Sequence, residues 1–453
     1  MLQQLATSTA PYKIYREWAQ TLGPIIELSP NNSGKVYMLG TLKVTLDLFD
    51  KRSLDFSSRP RFPMAELLGR HENVGFSYYN ERLKSSRMLL SRSLSPHAVQ
   101  QWEELVQNDV NALLLKMRHD PSQLWPSLQQ AIQSFFMRLT YGEDPGPEYY
   151  RLIKTSQAYT GAALRPGRWL VNKYPILKLV PAWLPGASFQ RWAREGKALY
   201  ETLTHEPFLK VKERMSAGIA ELSFVRNCLQ LRHSGDVKCD ERLALTTAGS
   251  ILNAASETTS SAMLTLIHAL AADERLQARA YEEIKTAVGA ERLPSLNDRS
   301  QLPFINALLL EVLRFNPPIP ILTHSNTKHT EYGGVTIPNA STVYANVWSI
   351  LHDESHYQQP GAFIPERFLG DMPALDPRKV VFGVGRRACP GRHIAEALLF
   401  TYATRLIALF SVETDEKLEF DTEFNGLVST PKPFPVNVIP RSSSSQLWDL
   451  VSR

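Results

Sequence analysis

One cysteine stands between a glycine-rich bend and a long apolar helix in Phe382-Gly383-Val384-Gly385-Arg386-Arg387-Ala388-Cys389-Pro390-Gly391-Arg392-His393. Pro390 has the fixed φ suited to a first helical position, and Ile394 to Phe410 continues helically and almost wholly apolar, which predicts Cys389 at a helix start. Unpaired backbone N–H groups, the helix dipole and the nearby Arg387 and Arg392 would lower the thiol pKa there and favour a thiolate able to ligate a metal. Gly383, Gly385 and Gly391 keep side chains clear, so a flat cofactor could lie directly against the backbone. The competing reading, a lone cysteine acting as a small buried hydrophobe, does not account for the helix-start setting.

The pattern FxxGxRxCxG, filled by Phe382, Gly385, Arg387, Cys389 and Gly391, resembles the haem-binding loop of the cytochromes P-450. The resemblance implies a mainly α fold with small β-sheets, one triangular α-rich domain around a buried haem b. It makes Cys389 the axial ligand of the haem iron and Arg387 a partner of a haem propionate.

Two distant segments fit the same family. In Leu308-Leu309-Leu310-Glu311-Val312-Leu313-Arg314-Phe315, Glu311 and Arg314 are three apart on a helix and share a face, and Asn316-Pro317-Pro318 ends that helix. Alone, such a pair reads as a solvated surface pair. Downstream, Phe363-Ile364-Pro365-Glu366-Arg367-Phe368 resembles the family's PERF segment, and the resemblance joins Glu311, Arg314 and Arg367 into a charge triad behind the cysteine loop.

Asp240 to Ala271 reads as one long helix, apolar yet crowded with hydroxyls around Asn253-Ala254-Ala255-Ser256-Glu257-Thr258-Thr259-Ser260-Ser261. Ser and Thr compete for backbone hydrogen bonds, so this density suggests a site. Ala254 to Thr259 match the family's Ala/Gly-Gly-x-Asp/Glu-Thr-Thr except at Ala255, where glycine is common. The resemblance gives Thr258 and Glu257 the role of delivering protons during oxygen activation; the alternative is helix-bending hydroxyls beside a surface carboxylate. Leu83-Lys84-Ser85-Ser86-Arg87 resembles the family's WxxxR with leucine for tryptophan, which makes Arg87 a second propionate partner, with Arg82 and Lys84 as competitors. His324, read as lying on a loop, stands where relatives often place a further basic residue for a propionate; otherwise it is a solvated histidine.

At 453 residues with no linker-like stretch, the chain reads as a single domain over 1–453. Helical stretches at Glu274-Val288 and Pro303-Phe315 alternate with strand signals at Ile25-Glu27, Lys35-Leu39 around an Asn31-Asn32-Ser33-Gly34 turn, and Val335-Ile337. Three cysteines provide no disulfide framework. A net charge of +5 without an aromatic-interleaved basic stripe argues against nucleic-acid binding. Arg378, Lys379, Arg386 and Arg392 surround the cysteine loop instead, suited to an acidic redox partner, which the resemblance identifies as NADPH–cytochrome P-450 reductase; ordinary solubilising charge is the alternative.

No apolar run approaches the ~18 residues of a membrane span. Eukaryotic family members usually begin with an anchor and a proline-rich hinge, and Pro11-Tyr12 through Trp18 resembles the family's segment just after that hinge. The expectation is a chain that starts after its anchor, by trimming, an alternative start or an incomplete gene model. The family works at the cytosolic face of the endoplasmic reticulum, and without an anchor this chain would be soluble or peripheral. Trp169 to Gly186 mixes Trp, Tyr and Lys with aliphatics and resembles the family's membrane-dipping loop between helices F and G, with a buried packing segment as the alternative.

A thiolate-ligated haem implies a monooxygenase that uses dioxygen on an apolar small molecule. By analogy the pocket walls are Leu252, Ala254, Ala255, Ile319, Ile321, Leu322, Val428 and Ser429, which suit a lipid-like or terpenoid substrate. The cysteine loop and Pro181-x-Trp183-x-Pro185-Gly186 most resemble filamentous and mushroom-forming fungal members, so secondary metabolism is the expected setting. Two other readings stay open: an isomerase or dehydratase of the same fold, and a non-catalytic haem binder or shortened product.

Overall fold

The computed structural model describes residues 8, 10–28, 35–165, 167–234 and 239–451; the expected turn at Asn31-Asn32-Ser33-Gly34 lies outside them. The helices that frame the site are α1 (Glu81–Leu94), α2 (Glu103–His119), α3 (Leu124–Tyr141), α4 (Pro147–Leu164), α5 (Ser188–Ser216), α6 (Glu241–Ala272), α7 (Glu274–Val288), α8 (Pro303–Phe315) and α9 (Arg392–Leu409). The chain is mainly α, as its periodicity implies.

Central to the packing is α6, which touches α1, α3, α5, α8 and α9 and is buried almost all round from Thr259 to Ala271. Asp240 caps it by accepting from Leu243 N at 2.6 Å. Its hydroxyls bond back to their own helix: Thr259 to Ala255 O, Ser260 to Ser256 O and Thr265 to Ser261 O, each at 2.8 Å. Such back-bonding lets a hydroxyl-rich helix stay buried without orphaned donors. The start of α8 is satisfied from outside, because the Glu283 carboxylate on α7 accepts from Phe304 N and Ile305 N.

The main sheet combines β1 (Ile25–Glu27), β2 (Val36–Leu39), β3 (Ile321–Ser325) and, after the β4 (Thr330–Tyr332) and β5 (Val335–Ile337) hairpin, β6 (Thr342–Asn346). Its order is β1-β2-β6-β3, with β2 and β6 parallel and the other pairs antiparallel. Two smaller pairs complete the strands: β7 (Phe410–Glu413) with β10 (Asn437–Pro440), and β8 (Thr422–Phe424) with β9 (Ser429–Pro431). The turn between β8 and β9 is fixed by Asn425, whose Oδ1 accepts from the backbone N–H of both Leu427 and Val428. One buried apolar cluster extends from Tyr37 to Val451, and a cavity is set into it between α6, α9 and β3.

Candidate functional site

The cysteine loop folds back on itself: Cys389 N donates to Phe382 O at 2.6 Å. Gly385 has φ +58°, and a Cβ there would collide with the Phe49 carbonyl, so this glycine serves close backbone approach behind the loop. Gly383, φ +73°, and Gly391 lie on the other side, along the cavity with Phe382.

Helix α9 starts at Arg392 with Gly391 as its cap, so Pro390 is not a first helical residue and Cys389 precedes the helix. The thiol also departs from expectation. Burial pushes it above its usual value, over the opposing effects of the Gly391 N–H and the Arg87 and Arg392 charges. Cys389 is accessible, but to an internal cavity with protein enclosing the sulfur. A thiol in this setting becomes a thiolate by coordinating a metal, which displaces its proton.

The cavity holds about 400 Å³ between α6, α1, α3, β3, the loop carrying Phe62, Asn73 and Phe76, and the cysteine loop. Ala254, Ala255, Thr258, Ile319, Ile321 and Leu322 line it. Leu252, Val428 and Ser429 do not. On α6 the cavity face contains Ile251, Ala254, Ala255, Thr258 and Ala262, helical spacing that turns Leu252 toward α4 and α5. In the β8–β9 turn Leu427 faces the cavity, while Ser429 is buried against Pro318 O and Asn316.

Three arginines border this space. Arg387 donates to Ser57 O, Val74 O and Ser77 O; Arg87 donates to Ala388 O; Arg59 donates to Gly75 O and Thr323 O. All three line the cavity, and among the described residues no carboxylate pairs with them. Burial, then the neighbouring Arg59 and Arg87 charges, pull Arg387 down to about 8; burial, then Arg87, pulls Arg59 to about 10. A group bearing two carboxylates fits this unbalanced charge, and the sulfur in the same cavity fits its metal. Sequence reasoning missed Arg59, a lone arginine in a loop with no motif around it.

His324 lies on β3, not on a loop. It is buried, stacked on Phe49 at 3.9 Å with Nδ1 2.7 Å from Phe56 O, and burial holds its pKa well below the usual range. The Arg59 and Arg387 charges, both at the cavity that Thr323 and Leu322 line, also act on it.

On α6, Thr258 lines the cavity and its hydroxyl donates to Ala254 O at 3.0 Å or Ala255 O at 3.2 Å. Glu257 points elsewhere, accepting from Asn425 Nδ2, and burial together with the Glu423 charge raises it to about 7. The two side chains therefore do not touch one another directly.

Glu311, Arg314 and Arg367 meet behind the loop, with side chains 0%, 0% and 7% exposed, so the pair is not a surface pair. Arg314 grips both Glu311 oxygens at 2.7 and 2.8 Å, and Arg367 reaches the same carboxylate at 3.3 Å. Arg314 also donates to Leu351 O, Pro360 O and Ala362 O, and Ile364 N donates to Glu311, which ties α8 to the approach to Pro365–Phe368.

The family model described as Cytochrome P450 matches residues 1–438. Among curated proteins, the chain is 34% identical to cytochrome P450 monooxygenase COX2 of Coprinopsis cinerea, covering 95% of this chain and 85% of that one. It is 32% identical to cytochrome P450 monooxygenase claR of Ampulloclitocybe clavipes, covering 96% and 83%, and 29% identical to O-methylsterigmatocystin oxidoreductase of Aspergillus flavus, covering 97% and 85%. Among solved structures, a zebra fish cytochrome P450 with progesterone superimposes with a TM-score of 0.80 at 26% identity, over 95% of this chain and 99% of that one.

Proposed function

The chain belongs to the cytochrome P450 family and is a monooxygenase, and from that premise we propose that it oxidises an apolar small molecule in fungal secondary metabolism. Electrons come from NADPH through a reductase in this reading, and a haem b sits on Cys389. The observation that carries it is the joint lining of one cavity by Cys389, Thr258 and three arginines that have no carboxylate partner among the described residues. The fungal relatives named as monooxygenases, and another named as an O-methylsterigmatocystin oxidoreductase, support the metabolic setting.

When bound, the haem supplies activation of dioxygen and insertion of one oxygen atom into a C–H bond. The chain's own residues do the rest. Cys389 holds the metal, and Arg59, Arg87 and Arg387 neutralise the carboxylates at the cavity edge. Thr258 offers a hydroxyl in the cavity whose donor bonds run to its own helix, and Glu257, near neutral in pKa, holds a proton one residue away. The aliphatic walls exclude water and orient the substrate.

Two surfaces support a peripheral site at the cytosolic face of the endoplasmic reticulum. Leu170, Ile176, Leu179 and Trp183 are exposed between 68% and 79% on one segment, suited to lipid contact. No helix among the described residues is long and apolar enough to cross a membrane. Around the cysteine loop Arg378 and Arg392 are tied to Glu396, which leaves the exposed Lys379 and Arg386 as the charges for a reductase.

The test is the absorption spectrum of the reduced protein with carbon monoxide. A strongly red-shifted Soret band that Cys389→Ala abolishes is expected; an unshifted band in the native chain would overturn the reading.

A further inference from the structure

The turn between β8 and β9 is anchored to two helices of the cavity wall. At its base the Ser261 hydroxyl on α6 donates to Ser429 O at 2.6 Å. At its tip Gly426, φ +110°, passes so close to α4 that a Cβ on it would meet the Gly161 carbonyl oxygen at 2.7 Å. From this turn Leu427 reaches the cavity.

Asn425 stands at the centre of the turn. Its Oδ1 accepts from Leu427 N at 3.0 Å and from Val428 N at 2.9 Å. With the oxygen held by two backbone donors the amide has one orientation, and its NH2 faces the half-buried Glu257, where Nδ2 donates to Oε1. Oε2 makes no hydrogen bond among the described residues. Burial and the charge of Glu423, exposed on β8, keep this carboxyl protonated toward neutral pH. A donor at Oε1 then decides where the proton sits. A carbonyl oxygen accepts better than a hydroxyl oxygen, so the bond from Asn425 favours C=O at Oε1 and O–H at Oε2.

We propose that Asn425 is a positioning residue for the reaction: it takes Glu257 by Oε1, leaves the transferable proton on Oε2, and through Leu427 makes this hold depend on what fills the cavity. This rests on the reading that Glu257 holds a proton for oxygen activation. Two hydrogen bonds separate the cavity wall from the carboxyl, Leu427 N–H to Oδ1 and Nδ2–H to Oε1. A molecule that presses on Leu427 displaces the N–H that fixes the amide, and the amide carries the carboxyl with it. Thr258 lines the same cavity and meets that molecule directly.

The experiment reads the carboxylic-acid C=O stretch of Glu257 by infrared spectroscopy on the haem-loaded protein at mildly acid pH, as the band that Glu257→Gln removes. Asn425→Ser keeps a hydroxyl that can cap the turn and is too short to reach Glu257, so the band should move to higher wavenumber as the C=O loses its donor. Asn425→Asp keeps Oδ1 for the turn and replaces the donor by an acceptor. It draws the proton between two carboxyls and should move the band the opposite way. Dodecanol, an apolar probe whose entry is read as displacement of the Soret band, should shift the infrared band of the native protein and, at saturation, leave that of Leu427→Ala in place. A band that stays at its native wavenumber in either Asn425 variant or in the native protein saturated with dodecanol, or that dodecanol shifts equally in Leu427→Ala, would overturn the proposal. If Glu257→Gln removes no band, the underlying reading of Glu257 as the proton holder fails instead, so the two failures are distinguishable.

Discussion

Glu257 keeps its proton into the neutral range because burial disfavours the carboxylate and Glu423 adds a like charge. The folded state binds this proton more tightly than the unfolded chain does. Its contribution to stability is therefore complete below the unfolded value near pH ~4.3 and disappears as pH rises through about 7. Glu257→Gln keeps an oxygen for Asn425 and removes the titration. It should match the native protein's Tm at pH 4 and exceed it at pH 8, as measured by thermal melts across that range. Thr258 is a different case. Its hydroxyl faces the cavity and bonds only to helix carbonyls, so Thr258→Ala should leave the fold intact and separate NADPH consumption from product formation. Unchanged stoichiometry of the two, by oxidation assay and product analysis, would remove Thr258 from proton delivery.

At the scale of elements, the triad joins α8 to the segment after β6. Glu311 is the single carboxylate between two buried guanidinium groups, and removing one partner of such a set costs about 3–5 kcal/mol. Glu311→Ala should show this as a loss of folded, haem-loaded protein, checked by circular dichroism melts and the haem-to-protein ratio. Much here was legible from local pattern. Helices Glu274–Val288 and Pro303–Phe315 fall where their periodicity places them, and α6 differs from expectation only at its ends. The residues that contact each other across the site were less so. Arg59 and Asn73 arrive at the cavity through chain reversals that leave no period in the sequence. Leu252, Val428 and Ser429 missed because helix phase and turn geometry rotate a neighbour, Ile251 or Leu427, into the space instead. The raised Cys389 thiol was hidden for a related reason: the motif reports donors near the sulfur, whereas the burial that outweighs them is tertiary.

At the scale of the whole molecule, the proposed function gives the apolar segment at 169–186 to lipid and the exposed Lys379 and Arg386 to the reductase. Replacing Ile176, Leu179 and Trp183 with serine should lower sedimentation with phospholipid vesicles severalfold, without altering the carbon monoxide spectrum, because these side chains are exposed and bury little of the core. The cavity has a consequence of another kind. Three guanidinium groups border it with no carboxylate partner among the described residues, so binding of an anionic macrocycle would stabilise the folded form by an amount that rises with the logarithm of its free concentration. Abundance of the protein would then track the cell's porphyrin and iron supply, since molecules made in a shortage open more often and are the first to meet a protease.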